Sequence, residues 1–405
     1  MLSRRALQLP PSSTAVLDAH VKHLAHLGVD VVNLTGGEVD FPTPESACRG
    51  GAEAIAGGST RYTAVAGIGP LRAAIAERLT HTWRSPYAAE DIVVTNGAKQ
   101  ALANAFAVLL DPGDEVLVQA PYWVSFPHMI RLAGGVPVVV TTGTQTGFKM
   151  TPDAVRGMIT PRTKILLINN PSNPTGVVYT RAELTALAEL ALAHGLTIVS
   201  DEIYGDLVYD GAAFAAVASL SEDVRRSTVT IGGFSKTFAM TGWRIGFAAA
   251  PQPVIAAMTA LQGHTTSAPS SISQAAALAV LREVPTEELQ RRRAELDRRR
   301  RLLCSGLTDL PGLRLAVEPQ GAFFAFVDVT GTYGLGGDPI VDAASFAQRL
   351  LDLSGVAVMP ATDFGAPDHV RISYVVDSAA LTAALDRTHG FLEAVGASGT
   401  ALPAK

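Results

Sequence analysis

The stretch GGFSKTFAMTGWRIG, residues 232–246, sets a single lysine, Lys236, shortly after the branched apolar run TVTI (228–231). Such a run predicts a buried strand. An ammonium group just past a buried strand needs solvent or polar partners, because an unpaired buried charge is costly to desolvate. Arg244 follows a short way downstream. The stretch therefore predicts either an ordinary solvated lysine or a site at which the fold uses an amine.

Branched apolar runs alternate with helical patterns from about residue 91 onward, with Gly or Pro between them. This alternation is typical of parallel βαβ units, and DIVVTN, AKQALANAFAVLL and DPGDEVLVQA predict the clearest one. KILLIN (164–169) and LTIVS (196–200) predict further strands, and the helix between them opens with the capping box Thr180 and Glu183. TVTI and IGFAAA (245–250) predict a hairpin or neighbouring strands. Together these segments predict one large α/β domain.

The composition changes after about residue 285 to the charged helix EELQRRRAELDRRRRLLCSGL. Its arginine run could be an anion patch, but interleaved acidic residues favour a solvated helix face. Beyond it, RLAVE, AFFAFVDV and VRISYVV predict the strands of a smaller α+β domain. The predicted divisions are residues 1–45, an amino-terminal segment packing with the small domain; 46–285, the large domain; 286–395, the small domain; and 396–405, a flexible tail.

Bulk composition excludes several classes of protein. The chain has 405 residues, of which 48% are hydrophobic and 17% charged, with a net charge of −5. A compact protein acting on small molecules fits these values better than a nucleic-acid binder, which needs a basic surface. Cys48 and Cys304 are too few for a disulfide framework or a cysteine zinc site. Without a secretory signal or a membrane-spanning run, a cytoplasmic protein with no metal and no membrane partner is expected.

Residues suited to ligand binding or catalysis follow several of the predicted strands. TNGAK (95–99) ends a strand and opens a helix, whose free N–H groups suit a phosphate. NNPSNPTG (169–176) is a rigid polar turn, Asp201 ends LTIVS, and Lys236 follows TVTI. Taken singly, each has an ordinary explanation as a tight turn, a helix N-cap or a surface lysine. Ligands bind beyond the carboxyl ends of strands in such a sheet, so the combination predicts a cofactor with a phosphate, a ring nitrogen and an aldehyde for the lysine.

The chain resembles the pyridoxal-phosphate (PLP) aminotransferases of fold type I, class I, and most closely the bacterial-type aspartate aminotransferases. The resemblance runs from about residue 12 to 392. It implies an α/β fold whose large domain holds a mostly parallel seven-stranded sheet covered by helices, next to a smaller α+β domain. It rests on motifs in the family's order: GGEVDF (36–41), RYTAVAGI (61–68), TNGAKQAL, APYWVS (120–125), NNPSNPTG, SDEIY (200–204), FSK with MTGWRIG, SISQ (271–274), QGAFFAF (320–326) and VRISY (370–374).

The resemblance implies a role for each residue at the cofactor ring. Lys236 is the expected Schiff-base amine and the general base and acid that moves the substrate Cα proton. Asp201 is expected to pair with the protonated ring nitrogen, which keeps the ring an electron sink. Asn173 and Tyr204 are expected to hydrogen-bond the ring oxygen. Trp123 is expected to stack on the ring, rather than to be an ordinary core tryptophan.

The resemblance also implies how the phosphate and the substrate are held. Arg371 matches the arginine that takes the α-carboxylate in a bidentate pair, and Gly37 lets the backbone approach that carboxylate. Trp123 and Asn173 complete the implied substrate contacts. A homodimer follows, because one phosphate ligand comes from the partner subunit. The implied phosphate ligands are Gly97, Ala98, Lys99, Ser235 and Arg244, with Tyr62 reaching in from the partner.

The substrate expectation rests on Lys99. Some bacterial-type members use this position for a distal carboxylate, with Ser12 and Thr14 near the matching segment. The alternative is a solvated lysine in the first turn of a helix, although a cation there opposes the helix dipole. We therefore expect aspartate or glutamate as amino donor and a 2-oxo acid as acceptor.

Several positions depart from the family's usual residues. His264 stands where glutamine is common, and Ala268, Gly232, Phe234 and Val39 are also unusual. These residues are expected to lie at the wall of the active site. They leave open a lyase or a β- or γ-replacement enzyme on the same scaffold. His264 is then a candidate extra acid or base, although a packing role is favoured for it. A cofactor-binding regulator fits less well, because the resemblance leaves no room for a DNA-binding head.

Overall fold

The computed structural model describes residues 9–337 and 339–397, together with Leu2 and Leu7. Most of the predicted tail, residues 398–405, lies outside the described residues, and 396–397 belong to the last helix. None of the helices in the described part of the chain has the length and hydropathy needed to span a bilayer.

Helices and strands alternate along most of the described chain. The α-helices are α1 Ser13–His26, α2 Glu45–Ala56, α3 Gly69–Thr82, α4 Ala98–Leu109, α5 Ser125–Leu132, α6 Pro152–Arg156, α7 Arg181–Ala193, α8 Glu222–Arg226, α9 Gln252–Thr265, α10 Ser271–Glu283, α11 Thr286–Thr308, α12 Ala343–Ser354 and α13 Ser378–Ala397. The strands are β1 Val32–Asn33, β2 Ile92–Thr95, β3 Glu115–Ala120, β4 Val136–Thr141, β5 Thr163–Asn169, β6 Thr197–Asp201, β7 Thr228–Gly233, β8 Gly246–Ala249, β9 Arg314–Val317, β10 Phe324–Asp328, β11 Val356–Ala357, β12 Met359–Pro360 and β13 His369–Ser373.

The large sheet has seven strands in the order β2-β8-β7-β6-β5-β3-β4. Only β8 runs antiparallel to its neighbours, β2 and β7. The predicted seven-stranded, mostly parallel sheet is thus confirmed, as are the neighbouring strands predicted from TVTI and IGFAAA. Buried apolar side chains of helices and strands pack on both faces of the sheet, as in layered α/β proteins.

The predicted βαβ unit around α4 joins two parallel strands of the large sheet that are not neighbours. β2 lies at one edge of the sheet, and four strands separate it from β3. β3 instead pairs with β4 and β5, in parallel register. Alternating strand and helix patterns predict a parallel sheet, but the strand order depends on long crossovers that sequence periodicity does not encode.

A second sheet of four antiparallel strands, in the order β12-β13-β10-β9, packs with α11, α12 and α13 around one apolar core. The amino-terminal strand β1 pairs in parallel with β11, so that Val32 lies opposite Val356. Val21 of α1 packs against Leu351 and Ala357. The amino-terminal segment therefore contacts the carboxyl-terminal part of the chain, while the predicted domain limits stay predictions.

The arginine run of α11 is not simply a solvated face, which corrects the prediction from sequence. Arg299 and Arg300 are buried, at 5% and 1% exposure. Arg299 Nη1 donates to Asp40 Oδ1 at 2.8 Å, and Arg300 Nε donates to Asp297 Oδ1 at 2.8 Å. Arg300 also pairs with Asp210. Because buried charges require partners, these arginines tie α11 to loops from the earlier part of the chain.

Candidate active site

A cavity of about 420 Å³ opens beyond the carboxyl ends of β5, β6 and β7. Asn169 and Asp201 end two of these strands, and Lys236 follows the third. Parallel strands bring such residues to one edge of the sheet. Of the residues singled out from the sequence, the cavity is lined by Ser12, Thr14, Gly37, Ala98, Lys99, Trp123, Asn173, Asp201, Tyr204, Ser235, Lys236, Arg244 and Arg371.

Lys236 lines the cavity together with several other polar residues. Its Nζ donates a hydrogen bond to the carbonyl oxygen of Gly37 at 2.5 Å. Burial, reinforced by the nearby positive charge of Arg371, lowers the pKa of Lys236 to about 8. A lysine with a lowered pKa supplies more neutral amine near neutral pH, which is the nucleophilic form.

Asp201 is a buried carboxyl group at the base of the cavity, only 4% exposed. Its Oδ1 accepts a hydrogen bond from the backbone N–H of Ile203 at 3.2 Å, and burial raises its pKa to about 7. No helix begins at Asp201, so the N-cap explanation is wrong. A buried carboxyl with one internal donor is suited to a cationic partner.

The turn after β5 is fixed by its own polar side chains. Asn169 Oδ1 accepts from the backbone N–H of Asn173 at 2.8 Å, and Asn169 Nδ2 donates to the carbonyl oxygen of Asp201 at 3.1 Å. Tyr204 is buried, and its ring meets those of Phe323 and Phe324 edge-on. Burial raises the pKa of Tyr204, so its hydroxyl keeps its proton and can donate.

Arg371 is a buried cation with neutral partners. Its Nη1 donates to Asn173 Oδ1 at 3.0 Å and its Nη2 to the carbonyl oxygen of Thr35 at 2.7 Å. Its Nε is buried without a hydrogen-bond partner, and no carboxylate of the described residues forms an ion pair with it. The ring of Phe324 lies 4.3 Å from the guanidinium carbon. A carboxylate ligand would supply the missing counter-charge.

A second part of the cavity has the features of a phosphate site. Gly97 has φ of 79°, and a Cβ there would come within 2.7 Å of Arg244 Nη2. A Cβ on Gly246 would come within 2.5 Å of the Ala98 nitrogen. Both glycines thus let the start of α4, with its unpaired N–H groups, approach Arg244. With Ser235 lining the same cavity, these residues fit the phosphate of PLP.

Lys99 extends over Trp123, with Nζ 4.9 Å from the ring centroid. Burial and the positive charge of Arg244 lower the pKa of Lys99. Ser12 and Thr14 line the same cavity, and their hydroxyl oxygens lie 3.0 Å apart. Lys99 therefore lines the cavity while its side chain remains exposed, so its cation can meet a ligand bound there.

Some of the singled-out residues lie away from the cavity of their own chain. Tyr62 is 95% exposed and does not line the cavity. Gly97 does not line it either, although it lies next to the Arg244 guanidinium. His264 is exposed at the end of α9 and does not line the cavity, so it packs in no core of its own chain and its role stays a prediction. Ala268 does not line the cavity either.

Gly232 and Phe234 form no part of the cavity wall, which corrects the expectation from sequence. Gly232 pairs with Phe247 on the antiparallel strand β8, and a Cβ on Gly232 would come within 2.4 Å of the Phe247 ring. Phe234 is 1% exposed and packs near Phe238 and Phe247. Val39 is likewise a buried core residue. Gly232 and Phe234 thus both lie against the Phe247 ring, while Val39 packs in a separate core.

Sequence reasoning missed several lining residues. Asn169 was available as the first residue of its motif, and Thr35 directly precedes GGEVDF. Asp18 and Lys22 lie four residues apart on α1, a spacing that places them on one helix face but does not reveal what the face meets. The missed residues that line the cavity include Ala15, Asp18, Lys22, Thr35, Gly36, Glu38, Leu102, Asn169, Ile203 and Phe324.

Comparison with known proteins gives the class. The model of the family described as aminotransferase class I and II matches residues 29–387. The aspartate aminotransferase of Geobacillus stearothermophilus is 44% identical over 393 residues, covering 97% of this chain and 99% of the relative. The aspartate/prephenate aminotransferase of Thermus thermophilus is 46% identical over 389 residues, covering 95% and 97%.

Solved structures of aspartate aminotransferases are also similar to this chain. An aspartate aminotransferase from Thermus thermophilus with maleate has a TM-score of 0.91 and 44% identity, covering 96% of this chain and 99% of that chain. The aspartate aminotransferase from Rhizobium meliloti has a TM-score of 0.93 and 37% identity, covering 97% and 99%.

The fold and the site thus define a fold type I enzyme of the kind that uses PLP, a general property of this family. The chain belongs to the class I and II aminotransferase family and is an aminotransferase. The lyase or replacement alternative is not favoured. Among the described residues, no group of three or more His, Cys, Asp or Glu side chains could hold a metal ion.

Proposed function

We propose that the chain binds PLP through Lys236 and transfers an amino group between aspartate or glutamate and a 2-oxo acid. The observation that carries the proposal is the buried Arg371, which has no carboxylate partner among the described residues and shares a cavity with Lys236 and Asp201. This combination suits an α-amino acid, whose carboxylate completes the charge of the arginine and whose amine approaches the lysine. The names of the relatives support a dicarboxylic substrate.

The chain's residues divide the work of the reaction. When bound, PLP supplies an electrophilic aldehyde and an electron-withdrawing ring. Lys236 would hold this group through its amine, and its Nζ would take and return the proton at the substrate Cα as general base and acid. Asp201 would keep the ring nitrogen protonated, because a carboxylate in a low-dielectric site favours a cation beside it. Asn173 and Tyr204 would hydrogen-bond the ring oxygen, and Trp123 would stack on the ring.

Binding groups at the two ends orient the cofactor and the substrate. Gly97, Ala98, the Lys99 backbone, Ser235 and Arg244 hold the phosphate, and the backbone of Gly37 approaches the α-carboxylate on Arg371. The Lys99 ammonium takes the distal carboxylate of the dicarboxylic substrate. Orientation of this kind supplies much of the rate in bimolecular reactions.

We further propose that the enzyme is a homodimer in which Tyr62 of one subunit completes the phosphate site of the other. Its hydroxyphenyl side chain is 95% exposed, which is unusual for a tyrosine without a partner surface. A location in the cytoplasm stays a prediction from the sequence.

A screen of amino donors tests the reaction. The protein is reconstituted with PLP, mixed with one amino acid at a time, and followed by cofactor absorbance and by formation of the matching 2-oxo acid. Aspartate or glutamate should give stoichiometric 2-oxo acid in a single turnover. Elimination products without transfer of the amino group would contradict the proposal.

Replacement of Lys99 tests the substrate assignment. Lys99→Ala should lower kcat/KM for aspartate about tenfold or more relative to alanine, since a charge-assisted hydrogen bond contributes about 1.5–3 kcal/mol. Lys99→Arg, which keeps the charge, should retain part of the preference. An unchanged ratio of aspartate to alanine would show that the distal carboxylate binds elsewhere.

A further inference from the structure

Helix α1 presents one of its faces to the active-site cavity. Thr14, Ala15, Asp18 and Lys22 all line it, and their spacing of about one helical turn places them on the same side of the helix. Two of these residues are charged, yet the proposed reaction assigns no role to either. Glu38, on the loop after β1, is a third charged residue that lines the cavity without a role.

These three charged groups act on one another. Lys22 Nζ lies 2.8 Å from Asp18 Oδ2, and the other carboxylate oxygen of Asp18 accepts a hydrogen bond from Asn33 at 3.3 Å. Asp18, through a hydrogen bond and its charge, and then Glu38 raise the pKa of Lys22. Glu38 itself accepts a hydrogen bond from Thr241. With one cation and two carboxylates, this part of the cavity has a formal charge of −1.

Apart from Asp201, the other charged residues that line the cavity are cations. Lys99, Lys236, Arg244 and Arg371 form no ion pair with a carboxylate of the described residues. A dicarboxylate held by Arg371 and Lys99 stays within this cationic part. Helix α1 lines the same cavity, and there Lys22 is already paired with Asp18, while Asp18 and Glu38 both carry negative charge.

We propose that the Asp18–Lys22 pair sets the length of dicarboxylic acid that the active site accepts, with Asp18 occupying the cation that a longer acid would use. The inference rests on the proposed function, because it requires Arg371 and Lys99 to bind the two carboxylates of the shorter acid. Asp18 and Lys22 are thus specificity residues that affect the distal end of the substrate and take no part in proton transfer.

Binding of unreactive dicarboxylates tests this inference. Succinate, glutarate and adipate, each longer than the last by one methylene, are titrated into the PLP-loaded enzyme by calorimetry at low ionic strength. Asp18→Asn frees Lys22 and should shift the ratio of the adipate Kd to the succinate Kd about three- to fivefold in favour of adipate. Lys22→Gln should shift it by a similar factor the other way. The factors are modest because the Lys22 side chain is 68% exposed, and exposed ion pairs contribute up to about 1 kcal/mol.

Two matched variants serve as controls. Lys22→Arg keeps the charge and should keep the length preference of the unaltered enzyme. Arg226→Gln removes an exposed cation from a similar pair, with Glu222 on α8, and α8 does not line the cavity. It should leave the ratio unchanged, which separates a local effect from a change in net charge. Melting temperatures report whether each variant folds.

The outcomes distinguish this inference from the proposed function. If Asp18→Asn and Lys22→Gln change the Kd of succinate and adipate by the same factor, or leave both unchanged, the inference is overturned while the dicarboxylate assignment stands. If the PLP-loaded enzyme binds none of the three acids, the proposed substrate class fails, and the inference fails with it. Opposite shifts in the two variants, suppressed by high salt, support the inference.

Discussion

Arg371 shows how one buried charge can specify the kind of ligand that a site binds. A buried guanidinium without a counter-ion is unfavourable, and burial lowers the pKa of Arg371 to about 10. Arg371 remains charged at neutral pH, and its remaining donor capacity has a planar geometry that matches a carboxylate. The protein therefore keeps a buried cation without a counter-ion among the described residues, and in the proposed function the substrate carboxylate completes this pair.

Replacement of Arg371 by lysine tests whether this guanidinium binds the α-carboxylate. Arg371→Lys should lower kcat/KM for every amino-acid donor by about 30-fold, because lysine keeps the charge but loses the planar bidentate geometry, and a hydrogen bond to a charged group contributes about 1.5–3 kcal/mol. The measurement is steady-state kinetics with aspartate and alanine. Similar losses for both donors are expected, in contrast to the selective loss from Lys99→Ala. A loss confined to aspartate would contradict the assignment of Arg371 to the α-carboxylate.

Asp201 gives a prediction about stability and pH. Its pKa rises from 3.8 to about 7 on burial, so between these values the folded state holds a proton that the unfolded state has lost. Stability therefore falls as pH rises through this interval. Asp201→Asn removes the titration, and the melting temperature of the PLP-free variant relative to the unaltered protein should rise from pH 4 to pH 7 and level off above it. A difference independent of pH would refute the shifted pKa.

At the scale of elements, β7 and β8 fit together through a glycine and a large ring. Gly232 lies opposite Phe247, whose ring occupies the space that a Cβ would need. Gly232→Ala should therefore destabilise the protein by about 1–3 kcal/mol through overpacking. The measurement is urea unfolding. Phe247→Leu in the Gly232→Ala background should recover part of the loss, and additive losses in the double variant would argue against a direct clash.

The active-site residues and Gly232 show which features of the fold can be predicted from sequence and which cannot. Lys236, Asp201 and Asn173 could be placed in one site because strand ends at one edge of a parallel sheet meet regardless of strand order. The meaning of Gly232 could not be predicted, since it depends on its partner in an antiparallel register. The edge position of β2 was missed for a related reason, because crossovers between distant strands leave no periodic signal.

Helices show the same difference: a local interaction can be predicted from sequence, and a contact between distant segments cannot. The capping box at Thr180 and Glu183 is confirmed, with the Glu183 N–H donating to Thr180 Oγ1 at 3.2 Å, because a cap is a purely local interaction. The burial of Arg299 and Arg300 was not foreseen, because their partners Asp40 and Asp210 lie far away in sequence. The sequence did not predict that one side of α1 faces the cavity. Residue spacing shows which side chains share a helix face, but it does not show what that face contacts.

The proposed dimer makes a prediction for the whole molecule. Lys236→Ala and Tyr62→Ala should each be nearly inactive as pure proteins, the first for want of the amine and the second for want of a phosphate ligand. Subunits that are mixed, unfolded and refolded together should regain about a quarter of the unaltered activity, since half the dimers are hybrids with one complete site each. Activity is measured against equal amounts of each variant refolded alone.

Two outcomes would contradict the shared site. If the mixture is no more active than the pure variants, Tyr62 does not complete the site of a partner subunit. If sedimentation shows a monomer at concentrations where the enzyme is active, the dimer itself is excluded. Tyr62→Phe serves as the conservative control, because it keeps the ring and removes only the hydroxyl group.

The hydrogen bond between Arg371 and the carbonyl oxygen of Thr35 joins residues separated by 336 positions in the chain. Strand β1 likewise cannot pair until β11 has been synthesised. Because a ribosome releases the chain from its amino terminus, the seven strands of the large sheet emerge before either contact can form. With Arg371 as the proposed ligand of the α-carboxylate, that end of the site is assembled last. In this proposal, a nascent chain cannot trap an amino acid until almost the whole polypeptide has been made.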